Sequence, residues 1–297
     1  MILALLEALR PRQWTKNLLL FVGVLFSRQL GVPALLGRAA VGFLAFSLLS
    51  GSVYVLNDLV DVEADRLHPR KRHRPIASGR LSAGVAWASL PIIWIAVAAV
   101  SLWLGTGFTI VAALYLVSYL AYSFGLKHAV ILDVFLIALG FVLRAIAGVL
   151  LLRPVAPDTQ LSPWLFVCTF FGALFLGVSK RRRELVNSGT AAISQRAVLR
   201  SYPPELLDVM LTISAATALV SYALYTIWPA TVEKFHTELL LVTVPYVAYG
   251  VFRYLFLVRV SETSEDPSAV LLSDRPIQIT VILFLGTVVW ILYHAAR

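Results

Sequence analysis

One charged stretch of the sequence, NDLVDVEADRLHPRKRHRPIASG at 57–79, holds the residues best suited to chemistry. Read as a helix of 3.6 residues per turn, it places Asp58, Asp61 and Asp65 on one face. Three carboxylates on one face repel each other, and a divalent cation that prefers oxygen ligands removes that repulsion. The spacing therefore predicts a Mg²⁺ site that could hold a departing diphosphate. We expect the metal ligands to be Asn57, Asp58 and Asp61, and the catalytic carboxylates to be Asp58, Asp61 and Asp65.

Cations dominate the second half of this stretch. Arginine forks match the geometry of phosphate oxygens, and lysine acts on them as a point charge. We therefore expect substrate phosphates to be bound by part of this basic run, which also contains Arg70: Arg66, Lys71, Arg72 and Arg74. Two other interpretations stay open. The stretch could be a loop in which acids pair with the arginines that follow, or a positive loop that touches lipid headgroups.

The rest of the chain is strongly apolar. Its 297 residues are 59% hydrophobic and 14% charged, with a mean hydropathy of +0.83, whereas soluble domains carry about 25% charged residues. The apolar runs are continuous rather than alternating, which excludes a transmembrane β-barrel. We predict an all-α polytopic membrane protein with one domain, 1–297. Runs near the ~20 residues that cross a bilayer predict nine spans: 17–31, 38–57, 83–104, 107–124, 130–152, 162–179, 209–228, 237–257 and 277–294.

The net charge of +9 follows from the distribution of cations between the loops. Most cations lie at the N-terminus and in the loops after the even-numbered spans. The opposite loops and the C-terminus hold only Arg28, Arg38, Arg153, Lys234 and Arg297. The positive-inside rule then predicts a cytoplasmic N-terminus and an external C-terminus in the cell membrane. A nucleic-acid partner is not needed to explain the charge, and the polar loops predict a substrate cavity that opens to the cytoplasm.

Further polar residues near the apolar spans are candidates for that cavity. Lys127 and Asp133 flank the loop between the fourth and fifth predicted spans, and Arg144 lies well inside the fifth. A cation at such depth normally faces a cavity or a partner. Tyr115 and Tyr119 share a helical face with Tyr122, which lies at the cytoplasmic end and is the best placed of the three to contact substrate. Before the last span, Arg275 is a further candidate.

The spacing N-D-x-x-D-x-x-x-D, followed by R-P-x-x-S-G, resembles the first aspartate-rich motif of the UbiA-type polyprenyl transferase superfamily. The likeness extends over nearly the whole chain and implies nine helices around a Mg²⁺-diphosphate site on the cytoplasmic side. Within this superfamily, the sequence most resembles one branch, the decaprenyl-phosphate phosphoribosyltransferases. Five segments carry this likeness: RPRQWTKN at 10–17, DVEADRLHPRKRHRPIASG at 61–79, YSFGLKHAVILDVFLIALGFVLRAIAG at 122–148, SKRRREL at 179–185 and EDPSAVLLSDRPIQ at 265–278.

The resemblance to that branch implies a reaction. Its members move the 5-phosphoribosyl group from 5-phosphoribosyl 1-diphosphate to a polyprenyl phosphate, a step towards a lipid-linked arabinose donor for cell-wall polysaccharide. Diphosphate would leave with Mg²⁺ while the lipid phosphate attacks the anomeric carbon. That phosphate is already ionised near pH 7, because its second pKa is about 6, so no general base is needed. The resemblance adds Lys16 and Asn17 to the substrate-binding residues.

SKRRREL at 179–185 separates this branch from the aromatic prenyltransferases, which carry a second carboxylate cluster at that position. Here the only acid is Glu184, beside Lys180, Arg181, Arg182 and Arg183. A basic cluster suits a site that holds the diphosphate and 5-phosphate of the donor together with the acceptor phosphate. We expect Lys180, Arg181 and Glu184 to bind substrate. A topological role for the cluster, or a simple Lys180–Glu184 surface pair, stays open.

Three other functions are weighed against this one. A prenyltransferase that joins a polyprenyl diphosphate to an aromatic or other acceptor is the main alternative. A transporter would show paired broken helices in two halves, whereas the charges here cluster at one face. A membrane scaffold without catalytic activity would leave the acidic face unexplained. The lipid chain length and any homo-oligomer are left open by the sequence.

Overall fold

The computed structural model describes residues 1–69, 71–195, 197–260 and 273–295. Most of the 265–278 segment, and Arg70 of the basic run, therefore lie outside the described residues. Within these ranges the regular elements are helices, which confirms the predicted all-α class. Their order is α1 Ile2–Ala8, a 3₁₀ helix at Pro11–Phe21, α2 Val22–Phe26, α3 Pro33–Val60, α4 Val62–Leu67, α5 Ala83–Leu104, α6 Thr106–Phe124, α7 Leu132–Leu150, α8 Pro163–Gln195, α9 Pro204–Ile227, α10 Pro229–Phe235, α11 Val244–Val260 and α12 Arg275–Trp290.

Eight helical segments of the described chain are long and apolar enough to cross a bilayer. Each overlaps one of the predicted spans from 38–57 to 277–294, so eight of the nine predicted spans are confirmed as long apolar helices. The segments are Pro33–Val60, Ala83–Leu104, Thr106–Phe124, Leu132–Leu150, Pro163–Val186, Pro204–Ile227, Leu239–Arg259 and Arg275–His294.

The first predicted span, 17–31, differs from the others. It is a 3₁₀ helix, Pro11–Phe21, that continues into the short helix α2. Laid end to end, eleven 3₁₀ residues and five α-helical residues extend about 30 Å, close to the thickness of a bilayer core. Hydropathy reports the length of an apolar run but not its hydrogen-bonding pattern, so a 3₁₀ helix could not be predicted. A ninth crossing stays a prediction.

The described chain groups into two compact units. The first unit contains Met1–Phe124 and Leu143–Gln160, and the second contains Gly125–Val142 and Leu161–Arg297. Helix α7 contributes its first half to the second unit and its second half to the first. The single domain expected from the sequence stays a prediction.

Each unit has a hydrophobic core that fixes its charged residues. In the first unit, the core packs the N-terminal segment and the last part of the charged stretch against the end of α3, through Leu9, Leu56, Ile76 and other buried side chains. In the second unit, α7, α8, α9 and α11 pack through residues that include Val178. The burial of Leu9 and Ile76 holds the N-terminal segment and the last part of the charged stretch close to the end of α3.

The Pro11–Phe21 helix packs directly on the second half of α7, within the first unit. A Cβ added to Gly148 would lie 2.2 Å from the carbonyl oxygen of Leu20, closer than any real Cβ contact. The reciprocal position, Gly23, would place a Cβ 2.1 Å from the oxygen of Gly148. Because two backbones meet here, residues one turn away on either side come within hydrogen-bonding distance.

Arg38 of α3 joins the ends of two other helices in the first unit. Its Nε donates to the carbonyl oxygen of Leu151 at 2.9 Å, just after α7 ends, and its Nη2 donates to the carbonyl oxygen of Leu104, where α5 ends. The last carbonyls of a helix have no partner within it, and a cation at that end is favourable. The guanidinium also lies 4.9 Å from the ring centroid of Trp103. These three contacts explain why an arginine is present on the side of the membrane to which the charge pattern assigns few cations.

Replacing Arg38 by leucine should lower the free energy of unfolding by about 2–4 kcal/mol, because two buried carbonyl oxygens lose their donors. Lysine should recover about half of the loss, since it retains the charge without the fork. Thermal unfolding of the detergent-solubilised protein measures both changes. Arg153→Leu, at an exposed arginine in the same unit, is the control. An Arg38→Leu variant as stable as the parent would contradict the double-capping role.

Candidate functional site

Two buried carboxylates of the charged stretch are joined by one guanidinium. Asp58 lies in the last turn of α3 and Asp65 lies in α4, and each is 2% exposed. The Arg74 Nη1 atom is 3.0 Å from Asp58 Oδ1 and 2.6 Å from Asp65 Oδ2. A buried charge is destabilising unless it is paired, so this bridge makes the burial of both carboxylates tolerable.

Two further cations complete this group of contacts. The Arg10 Nη2 atom is 2.5 Å from Asp58 Oδ1, and the Lys71 Nζ atom is 4.0 Å from Asp65 Oδ1. We call these five side chains the carboxylate–cation network: Arg10, Asp58, Asp65, Lys71 and Arg74. Arg10 is absent from the predicted site residues because 48 positions separate it from its partner. The 10–17 segment that resembles the family was the one signal that pointed to it.

The helix that was expected to run through the motif is broken at Asp61. This residue lies between the end of α3 at Val60 and the start of α4 at Val62, with φ −95° and ψ 12°. Its backbone N–H donates to the carbonyl oxygen of Asn57 at 2.9 Å, and its own carbonyl oxygen accepts from the backbone of Asp65. The three carboxylates therefore do not form the single face of one helix. In the described part of the chain, no three side chains of acidic, histidine or cysteine type lie close enough together to hold a metal ion.

The residues nevertheless fit a divalent cation. Asp58 and Asp65 place carboxylate oxygens on both sides of one cationic group, Arg74 Nη1. Mg²⁺ in proteins is commonly held by one or two carboxylates together with substrate phosphates. Asp58 and Asp65 supply these carboxylates, the three cations of the network suit the accompanying phosphates, and Asn57 and Asp61 are half-buried nearby in sequence.

A second buried polar group in the first unit is centred on Arg144. Its Nε donates to Asn17 Oδ1 at 2.7 Å and its Nη2 donates to the Tyr115 hydroxyl at 2.6 Å. The Asn17 amide donates in turn to the hydroxyls of Ser47 and Ser50, at 3.0 and 3.2 Å. The buried Arg144 therefore has uncharged polar partners in Asn17 and Tyr115. The close packing at Gly148, one turn from Arg144, brings the Asn17 segment to it.

The three tyrosines expected on one face of α6 do lie together. The ring centroids of Tyr115 and Tyr119 are 4.5 Å apart, and those of Tyr119 and Tyr122 are 6.2 Å apart. Tyr115 is buried while Tyr122 is only half-buried. Tyr115 packs against the rings of Phe46 and Tyr119, and its hydroxyl bond to Arg144 adds a polar role to that packing.

In the second unit, the buried group is built on Asp133 at the start of α7. Asp133 is fully buried and Arg181 is 1% exposed. The Arg181 Nε donates to Asp133 Oδ2 at 2.7 Å, and its Nη1 donates to Glu184 Oε2 at 2.9 Å. Asp133, which the sequence places near a loop as a cavity candidate, is therefore paired with Arg181. A direct role of Asp133, Arg181 or Glu184 in substrate binding stays a prediction.

Tyr202 completes the group around Asp133, although it is absent from the predicted residues. Its hydroxyl donates to Asp133 Oδ1 at 2.7 Å and accepts from the backbone N–H of Ile131 at 2.6 Å. Burial raises the pKa of Tyr202, and Asp133 raises it further, so the phenol remains the donor. Ile131 has a φ of +68°, which is rare for a β-branched residue. The only sequence signal for Tyr202 is its position in a loop, 69 residues from Asp133.

The basic run of SKRRREL points in several directions, as consecutive helical residues must. Arg182 pairs with Asp208 at 2.6 Å, and the buried Arg183 donates to the carbonyl oxygen of Leu257. Half-buried Lys180 and Glu184 lie on the same helix. The run therefore does not form one phosphate-binding face, and two of its arginines hold α8 against other parts of the second unit.

The remaining predicted residues lie at or near the surface of their units. Arg66 pairs with Glu63 at 2.9 Å, and both are exposed, as the salt-bridged interpretation allows. Arg275 is exposed in the first turn of α12. Arg253 lowers the pKa of the neighbouring Asp274, which caps that helix by accepting from the N–H of Ile277. Arg72 is exposed, while three others are half-buried: Lys16, Tyr122 and Lys127.

These features define an integral membrane protein of apolar helices in which buried carboxylates are matched by cations. The model of the UbiA prenyltransferase family matches residues 17–274. The chain therefore belongs to the UbiA prenyltransferase family, which confirms the resemblance drawn from the aspartate-rich motif.

Curated relatives extend the likeness over nearly the full length. A decaprenyl-phosphate phosphoribosyltransferase of Mycolicibacterium smegmatis is 34% identical over 296 residues, covering 96% of this chain and 91% of the relative. The protein of that name from Corynebacterium glutamicum is 32% identical over 306 residues, covering 97% and 86%.

Solved structures show the same fold. A UbiA homologue from Archaeoglobus fulgidus, bound to GPP and Mg²⁺, matches with a TM-score of 0.70 at 20% identity, covering 97% of this chain and 99% of the other. A digeranylgeranylglyceryl phosphate synthase matches with a TM-score of 0.63 at 16% identity, covering 97% of each chain. The predicted UbiA-type helical fold is therefore confirmed.

Replacing Tyr202 by phenylalanine should lower the free energy of unfolding by about 1–3 kcal/mol, because the N–H of Ile131 and one oxygen of Asp133 lose their shared partner. Chemical or thermal unfolding in detergent measures the change. Tyr249→Phe, at an exposed tyrosine of α11, should have no effect. Equal stability of the two variants would show that Tyr202 does not support Asp133.

Proposed function

We propose that this chain transfers the 5-phosphoribosyl group from 5-phosphoribosyl 1-diphosphate to a polyprenyl phosphate such as decaprenyl phosphate, with release of diphosphate. The similarity to proteins named decaprenyl-phosphate phosphoribosyltransferase over at least 96% of this chain supports the activity. The observation that carries it is the carboxylate–cation network, in which two buried carboxylates and three cations meet. Such a group can bind both a divalent cation and the phosphates of the donor.

Asp58 and Asp65 would hold Mg²⁺, together with Asn57 and Asp61 from the same motif. When bound, the metal neutralises charge on the diphosphate as it departs. Mg²⁺ in a solved homologue supports this cofactor, although that protein is only 20% identical. The break at Asp61 places the two buried carboxylates on different helices, α3 and α4, so the bend in the backbone contributes to how they are placed.

Arg10, Lys71 and Arg74 would bind the donor phosphates. Guanidinium forks bind phosphate oxygens in pairs, and an ammonium adds a point charge. In the reaction the bond from the anomeric carbon to the diphosphate oxygen breaks, and a bond to an oxygen of the lipid phosphate forms. The diphosphate leaves with the bonding electrons. Since the attacking phosphate is ionised near neutral pH, the residues contribute mainly position and charge.

The charge distribution supports an orientation for this chemistry. We propose that the N-terminus and the carboxylate–cation network face the cytoplasm, that the C-terminus lies outside the cell membrane, and that residues 1–297 act as one transferase domain. Loops rich in arginine and lysine remain on the cytoplasmic side. The acceptor lipid would enter from the bilayer, while the soluble donor would enter from the cytoplasm.

Prenyl transfer from a polyprenyl diphosphate to an aromatic or other small acceptor is the alternative. The family description and the GPP-bound homologue favour it. The position on α8 where aromatic prenyltransferases carry a second acidic cluster reads Lys180 to Arg183 here, which favours the phosphoribosyl reaction.

A direct assay separates these two reactions. Purified protein with Mg²⁺ should transfer label from phosphoribosyl diphosphate to decaprenyl phosphate, and should form no product from polyprenyl diphosphate and 4-hydroxybenzoate. Thin-layer separation of the lipids measures both. A labelled product from the second pair alone would assign the chain to the prenyltransferases. Chelation with EDTA should abolish the expected product, and added Mg²⁺ should restore it.

Asparagine at Asp58 or Asp61 should lower turnover by about 100-fold or more, because the metal loses a charged ligand while the side-chain shape is preserved. Steady-state rates at saturating Mg²⁺ measure the effect. Asp158→Asn, at an exposed aspartate of the first unit, is the matched control. Wild-type turnover in both the Asp58 and the Asp61 variants would remove these residues from the metal site.

A further inference from the structure

Asp58 accepts from two guanidinium groups at the same oxygen. Arg10 Nη2 lies 2.5 Å and Arg74 Nη1 lies 3.0 Å from Asp58 Oδ1. A carboxylate oxygen that already accepts two charged hydrogen bonds has little capacity left for a metal ion. Arg10 and a divalent cation therefore compete for Oδ1 of Asp58. We propose that Arg10 is an exchangeable counter-cation, which occupies Asp58 until a diphosphate draws it away and thereby makes metal binding dependent on the donor.

The exposure of the pair favours such an exchange. The side chains of Arg10 and Arg74 are each 29% exposed, whereas the side chain of Asp58 is 3% exposed. An incoming phosphate therefore meets the guanidinium groups before the carboxylate. The contrast with the second unit is sharp, since Arg181 and Asp133 are 1% and 0% exposed and cannot be reached in this way.

The charges of the network also favour an anionic ligand. Arg10, Lys71 and Arg74 supply three positive charges against two negative ones on Asp58 and Asp65. The excess is one positive charge, so the five joined side chains attract an anion. When Mg²⁺ adds two further positive charges, repulsion between the metal and Arg10 grows unless phosphate oxygens separate them.

The fold holds Arg10 at this position through its backbone. Ala8 and Leu9 are 1% and 3% exposed in the core of the first unit, and a Cβ on Gly51 would lie 2.9 Å from the carbonyl oxygen of Leu9. Arg10 itself has a φ of +53°. Its guanidinium lies 4.6 Å from the ring centroid of Tyr54, one turn before Asp58. Because the backbone is anchored and the tip is only partly covered, the side chain can exchange partners while the chain stays in place.

The inference rests on the proposed function and predicts opposite effects of one substitution. Arg10→Gln removes the competitor, so Mn²⁺ alone should bind about 10-fold more tightly. It also removes a phosphate ligand, so binding of inorganic diphosphate in the presence of Mn²⁺ should weaken about 10-fold. Electron paramagnetic resonance of Mn²⁺ in detergent micelles measures the first, and calorimetric titration measures the second. Neither readout needs turnover.

Controls make each outcome decisive. Arg12→Gln, at an exposed arginine two residues further on, should change neither affinity. Arg10→Lys keeps a cation beside Asp58, folds under the same backbone constraints, and should remain closer to wild type in Mn²⁺ binding than Arg10→Gln. Thermal unfolding shows that each variant is folded; if Arg10→Gln does not fold, Arg10→Lys serves instead, and its Mn²⁺ affinity should exceed that of wild type by a smaller factor.

The outcomes separate the inference from the function that it rests on. If wild type binds Mn²⁺ with diphosphate but the folded Arg10 variant binds Mn²⁺ no more tightly, the exchange is overturned and the transferase assignment stands. Weaker binding of both ligands would assign Arg10 to a fixed ion pair and would equally overturn the exchange. If wild type binds neither Mn²⁺ nor diphosphate, both the exchange and the proposed function fail.

Discussion

Asp58 lies in the last turn of a long apolar helix with its side chain almost fully buried, and an unpaired charge there would destabilise the fold by several kcal/mol. Much of the first unit is arranged to prevent this. The buried end of α1 fixes Arg10, and the turn around Ile76 fixes Arg74, so that cations from both sides of α3 reach one carboxylate. The stability of the first unit therefore depends on these charges, and in the proposed exchange an anion that draws Arg10 from Asp58 has to arrive with another cation.

Both units pair buried carboxylates with cations, but they differ in how far the cations are exposed to solvent. In the second unit, Asp133 is enclosed by Arg181 and Tyr202, and none of the three is more than 2% exposed. Water cannot compete for such a buried pair, so the Asp133–Arg181 ion pair fixes α7 against α8. In the first unit, the cations remain partly exposed and the carboxylates do not. The difference in exposure, more than the types of residue, distinguishes a structural ion pair from a group suited to ligand exchange.

The sequence predicts the elements well and their long-range partners poorly. Apolar runs locate eight of the spans, since length and hydropathy are local properties, and the aspartate-rich motif indicates the family. The break at Asp61 and the 3₁₀ helix depend on hydrogen bonding that hydropathy does not report. Arg10, Tyr202 and the Asn17–Arg144 contact depend on pairings over 48, 69 and 127 residues. The sequence offers many possible partners for each of these polar side chains, and the packing of the helices determines which partner is used.

The capping arginine of α3 has a consequence for the order in which the protein is assembled. Arg38 is synthesised and inserted before its two acceptors, which lie 66 and 113 residues further along the chain. Until the ends of α5 and α7 arrive, its charge can be accommodated only by water and lipid headgroups at the membrane surface. Arg38 can therefore exchange these partners for protein only after the ends of α5 and α7 supply its two carbonyl acceptors. A single side chain thereby links the relative positions of α3, α5 and α7 to the order in which these helices are synthesised.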